Sequence, residues 1–116
     1  MRGNYYVPSA VLNVPARYSH AVYRRTNGVQ EKVFTEDESI SWVGAKSYGG
    51  TEKTVDGIYA VEDTMEFTAY YDPRLKSGDR ITLLGDGSVW DILNTPENVD
   101  MRGAFMKFKG RRYHNA

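Results

Sequence analysis

Two histidines, fifteen carboxylates and no cysteine make up the acid–base and metal-binding side chains of this 116-residue chain. His20 and His114 stand far apart, and neither lies in an H-x-x-x-H spacing that would put two imidazoles on one helical face. Glu36-Asp37-Glu38 and Glu62-Asp63 supply the adjacent carboxylates that a general acid and base would need. With fifteen Asp and Glu such neighbours arise by composition alone, and a solvated surface or a subunit contact is the plainer use for them. Gly85-Asp86-Gly87 is not followed by a helix whose N-terminus would hold a phosphate, so it reads as a hairpin turn. The expectation is a protein with no catalytic residues, no metal and no cofactor.

Binding chemistry is the next possibility. Trp42, Phe67, Trp90, Phe105 and Phe108 could form a platform for stacked bases, but aromatics at alternating strand positions point to a core. Lys107, Lys109 and Arg111 form a basic stripe near the end of the chain, open to three uses: DNA contact, subunit contact or solvation. Fifteen basic against fifteen acidic residues argue against a dedicated nucleic-acid binder, since phosphate neutralisation calls for a positive excess. The charge is sorted, however. Arg17, Arg24 and Arg25 make the first strand basic, Glu36 to Glu38 and the group Glu52, Asp56, Glu62, Asp63 and Glu66 are acidic, and the end is basic again. Opposite patches on one small domain suit self-association.

The elements that would position these residues are strands. Residues 1–15 carry Pro8 and Pro15 without sustained periodicity and read as an extended N-terminal arm, leaving residues 16–116 as one domain. Arg17 to Arg25, Val29 to Thr35 and Ser39 to Ala45 read as strands, the first two joined by an Asn27-Gly28 turn of the positive-φ kind. Lys46 to Asp56, with Gly49-Gly50 and little apolar content, is the longest loop. Ile58 to Tyr71 is an unusually long strand with period two in its second half, long enough to bend and serve two sheets. Asp79 to Leu84 and Val89 to Leu93 form a hairpin, Glu97 to Arg102 a short helical turn, and Gly103 to Tyr113 a last strand. The fold class is therefore all-β, a small antiparallel barrel or sandwich of about six strands.

A chain of this length has one core. With 41% apolar and 26% charged residues it has an ordinary globular composition, and the absence of cysteine fits intracellular assembly. No window reaches the apolar length of a membrane span, and no apolar stretch follows Met1, so a soluble, unexported protein is expected.

One run of pieces adds a resemblance. A long strand ending in Tyr71-Asp72-Pro73 is followed by Ser77-Gly78-Asp79-Arg80-Ile81, a tight hairpin, Trp90-Asp91-Ile92, and Glu97-Asn98-Val99-Asp100-Met101-Arg102 before a final strand. Over roughly Trp42 to Phe108 this order resembles the head-closure, or head–tail joining, proteins of long-tailed bacteriophages. The resemblance implies a structural virion protein, assembled in the host cytoplasm as a homo-oligomeric ring of six or twelve copies beneath portal and adaptor. It would contact the tail terminator or other tail proteins and encircle double-stranded DNA, without a membrane. It also implies a channel-gating loop, here Lys46, Ser47, Tyr48, Gly49, Gly50, Thr51, Glu52, Lys53 and Thr54. Eleven residues from Lys46 to Asp56, folded out and back, reach about 17 Å, and the charges of Lys46 and Lys53 are offset by Glu52 and Asp56. A neutral loop would let DNA slide.

The sorted charges suggest a subunit interface of Glu62, Asp63 and Glu66 on one copy against Lys107, Lys109 and Arg111 on the next. A tail terminator and a stand-alone oligonucleotide-binding barrel are the alternative functions.

Overall fold

The structure, a computed structural model, describes residues 11–47, 51–55 and 58–114. Their strands are β1 (Val14–Thr26), β2 (Val29–Glu36), β3 (Ser41–Ser47), β4 (Thr51–Val55), β5 (Ile58–Glu62), β6 (Thr64–Tyr70), β7 (Arg80–Leu83), β8 (Val89–Ile92), β9 (Glu97–Asn98) and β10 (Phe105–Arg112). A single 3-10 turn, Val99–Met101, is the one helical element among the described residues. Six strands in the order β1-β3-β6-β10-β8-β7 close into an antiparallel barrel, because β7 returns to β1 with Ala16↔Leu83, Arg17↔Thr82, Tyr18↔Ile81 and Ser19↔Arg80 in register. Two more strands join the sheet off this circle, β2 on β1 and β9 on β10, while β4 and β5 pair only with each other. Closure removes the open edges that a sheet of this size would expose.

Strand β1 holds the design together by changing partners along its length. Residues 14–16 pair with β3, 16–19 with β7 and 19–26 with β2. The last stretch therefore leaves the barrel as a two-stranded hairpin. At its tip Asn27 and Gly28 take φ of 53° and 78°, the paired positive values of a two-residue turn whose twist matches that of the strands. The radius of gyration is 16.1 Å, against the about 13 Å of a compact domain of this length.

Period two decides what lies inside. Ala16 and Tyr18, Val43, Phe67 and Ala69, Ile81 and Leu83, Trp90 and Ile92, and Met106 and Phe108 alternate with outward residues and fill the barrel. Phe67 stacks on Phe108 with ring centroids 5.3 Å apart and meets Trp90 edge-on at 6.0 Å. The buried Trp90 indole N–H donates to Ser88 Oγ at 2.9 Å, which removes the cost of burying it.

Several expectations need correction. Trp42 is not core: it is 50% exposed, because it and Val43 point to opposite faces and the narrow interior takes Val43. Phe105 also lies outside the core, stacked on Tyr70 at 5.5 Å. The segment expected as a loop contains β4, whose Glu52, Lys53, Thr54 and Val55 register with Val61, Ala60, Tyr59 and Ile58 of β5. Backbone pairing makes this ribbon, which is why apolar alternation did not reveal it. The long strand expected from Ile58 to Tyr71 is β5 and β6, interrupted at Asp63 and serving two sheets. The expected arm lies outside the described residues for 1–10, and its last two residues, Val14 and Pro15, already belong to β1.

Candidate functional site

The expected gate divides into three parts. Lys46 and Ser47 end β3, Tyr48, Gly49 and Gly50 lie outside the described residues, and Thr51 to Thr54 form most of β4. The β3–β6 pair ends at Ser47↔Met65 and the β4–β5 pair begins at Thr51↔Glu62. Each strand of the ribbon has five residues, about 16 Å at the usual rise.

The six expected interface residues fall on neighbouring strands of one copy. Glu66 registers with Lys109 on one side and with Lys46 on the other, so an acid between two bases runs across β3, β6 and β10 on the outer face. Lys107 registers with Thr68 and Glu97, and Arg111 with Thr64 and Asp91. Asp63 is exposed, and its carbonyl accepts from the Arg112 amide at 3.0 Å. Glu62 closes the β4–β5 register opposite Thr51. Strands β6 and β10 are thus partners within the molecule, and β10 is covered on its other side by β8 and β9. Neither strand has an edge to offer a second copy, and part of the charge complementarity is met internally.

Sequence reasoning missed the polar cluster at the base of the hairpin. Asp79 has no exposed surface, and a buried carboxylate demands partners. It accepts from the Ala21 amide at 2.9 Å and the Lys76 amide at 3.1 Å, and His20 Nδ1 stands 3.3 Å away. The other ring nitrogen of His20 faces Asp37 at 3.2 Å. Arg74 then donates to Asp37 at 3.0 Å and to Asp72 at 2.9 Å. The hydrogen bond from Arg74 holds the Asp72 carboxyl below the usual carboxylate range, and the two carboxylates raise Arg74. This chain of contacts links β1, the β2–β3 corner and the loop between β6 and β7. The signal was present in Ser77-Gly78-Asp79, whose turn geometry is legible, but partners 58 and 59 residues away are not.

Beside it lies a cleft of about 320 Å³ lined by Tyr18, Ile40, Ser41, Trp42, Tyr70, Tyr71, Asp72 and Pro73. Tyr18 forms its floor, and burial, then the charges of Asp72 and Asp37, push its phenol well above its ordinary value. Among the described residues no group of three or more His, Asp or Glu is placed to hold a metal ion.

No protein-family model and no curated protein matches this chain. A solved chain of the "Virion of native gene transfer agent (GTA) particle" does, with a TM-score of 0.69 at 15% identity. The two share a fold. The match covers 91% of this chain and 98% of that one, so it is nearly end to end in both.

Proposed function

We infer that the chain is a structural protein of a phage-like virion, forming a ring at the head–tail interface beneath portal and adaptor, closing the DNA-filled head and docking the tail. The observation that carries this reading is the near end-to-end likeness to a chain of a gene transfer agent virion. The order of motifs from Trp42 to Phe108 supports the narrower assignment to head closure. The closed barrel suits it too, since its remaining projections, a hairpin and a ribbon, are the parts with which a small ring subunit can reach neighbours and a channel. In this reading the segment Lys46–Thr54 is the gate, and the outward charges of β6 and β10 contribute to subunit contacts.

Removing the gene from the particle that encodes the chain tests the reading by electron microscopy. Heads without tails beside free, finished tails are expected, with tailed particles restored by the gene in trans. Tailed particles of normal appearance would overturn it, and intact heads with tails of irregular length would move the assignment to a tail terminator.

A further inference from the structure

The hairpin β1–β2 and the aromatic cleft are both unfinished, and their properties are complementary. Beyond Ser19, β1 loses β7 and pairs with β2 alone. Residues 22–32 are exposed throughout, with Tyr23 at 63% and Val29 at 66%. A two-stranded ribbon standing free in water is marginal, so this tip is built to be covered. Its register, Tyr23↔Lys32 and Arg25↔Gln30, puts one aromatic ring and two cations on one face with no acid among them.

The cleft presents the opposite chemistry. Trp42 and Tyr70 stand at its wall, 50% and 62% exposed. At its floor Tyr18 is 2% exposed, and its hydroxyl meets no partner in bonding geometry among the described residues, although Ser41 shares the cleft. A buried hydroxyl left without a partner costs free energy that an incoming polar group would recover. Beside these rings, Asp72 in the lining and Asp37 next to it set two carboxylates against the single guanidinium of Arg74. An aromatic wall with excess acid is the surface an arginine and a tyrosine fit, through ring stacking and cation–π contact.

We propose that the Tyr23/Arg25 face of the hairpin in one copy seats in the Tyr18–Trp42–Tyr70 cleft of a second copy. Charge complementarity selects the occupant. Reach supports it: from Tyr18 at the cleft floor to Thr26 at the tip, eight strand residues extend about 26 Å. The tip therefore stands too far from its own cleft to fill it, which leaves the cleft of a second copy. The contact is heterologous, each copy giving a tip and receiving one, which is the arrangement that closes into a ring. It rests on the reading of this chain as a ring subunit and supplies the joint which that reading leaves open.

The absence of cysteine makes a clean test available. Tyr23→Cys and Tyr70→Cys, both at exposed positions, are prepared separately, mixed and oxidised. The expected product is a disulfide dimer at twice the chain's 13.2 kDa, at least tenfold above a mixture of Tyr23→Cys with Lys109→Cys. The double variant is expected to give a ladder, and Arg25→Glu to reduce both products several-fold. A mixed-dimer yield no higher than the control overturns the proposal, as does a Tyr23-to-Tyr23 product that predominates, which would mean a two-fold contact, or capture of the Tyr23→Cys tip by another particle protein. Absence of the mixed dimer, with gene removal still giving heads without tails beside free, finished tails, would sink this joint and leave the ring reading standing. A ladder from a chain whose removal leaves tailed particles normal would do the reverse.

Discussion

Tyr18 is the residue at which fold and surface chemistry meet. Its ring edges onto Phe108 at 6.4 Å inside the barrel, while its hydroxyl faces the cleft without a partner. Because burial and two nearby carboxylates favour the neutral phenol, the folded chain keeps this proton at a pH where the unfolded chain has lost it. A raised value in the fold means that the contribution is complete below the unfolded value of about 10 and declines as pH rises beyond it. Urea unfolding from pH 8 to 11 is expected to show wild type losing up to about 1.4 kcal/mol per pH unit more than Tyr18→Phe above pH 10. Below pH 9 the variant is expected to be at least as stable, since it removes a buried hydroxyl whose approach to Ser41 falls short of good bonding geometry. Parallel curves would show that this phenol is not held neutral by the fold.

At the scale of strands, Gly110 shows how tightly β10 is seated. It registers with Met65 of β6 and with Ile92 of β8, and a Cβ there would stand 2.8 Å from Cε2 of Phe67 and 3.3 Å from Cβ of Trp90. Both neighbours are buried aromatics that brace one another, so neither can swing aside. Gly110→Ala is expected to cost about 1–3 kcal/mol of stability, read as a lower urea midpoint with an unchanged slope. An unchanged midpoint would mean that the barrel repacks freely. Strand positions of this kind were legible: Phe67, Ala69, Met106 and Phe108 alternate cleanly, and Asn27-Gly28, Ser77-Gly78 and Gly85-Asp86-Gly87 mark turns by their chemistry. What escaped has physical reasons. Thr51-Glu52-Lys53-Thr54 carries no apolar alternation in its sequence, and its strand character lies in its pairing with β5. Trp42 beside Val43 leaves two registers equally apolar, and only the closed barrel selects one. The Asp79–His20–Asp37–Arg74 chain joins residues that only topology makes neighbours.

The whole molecule is a closed barrel with an appendage that the barrel does not stabilise. Opening the core strands requires disrupting Phe67, Trp90 and Phe108 together, whereas residues 22–32 of the hairpin are all exposed. Amide hydrogen exchange of the isolated chain is expected to be slowest in β6 and β10 and at least a hundredfold faster across residues 22–32, with protection appearing at the tip upon self-association. Uniform protection in the isolated chain would show that the tip is already covered. The six-strand circle was within reach of sequence reasoning as a count, with barrel and sandwich both open, and the choice between them hangs on four residue pairs between β1 and β7 whose register no local pattern encodes.

The guanidinium of Arg80 lies 4.2 Å from the ring centre of Phe34, at the foot of the hairpin, and 4.0 Å from that of Tyr113, just past β10, while its Nε donates to Asp91 at 2.8 Å. This cation is a buckle between the outstretched limb and the tail end of the polypeptide. Tags or fusions placed directly after Tyr113 would therefore tug on the limb's hinge, and a reporter intended to leave its aim undisturbed belongs behind a generous spacer.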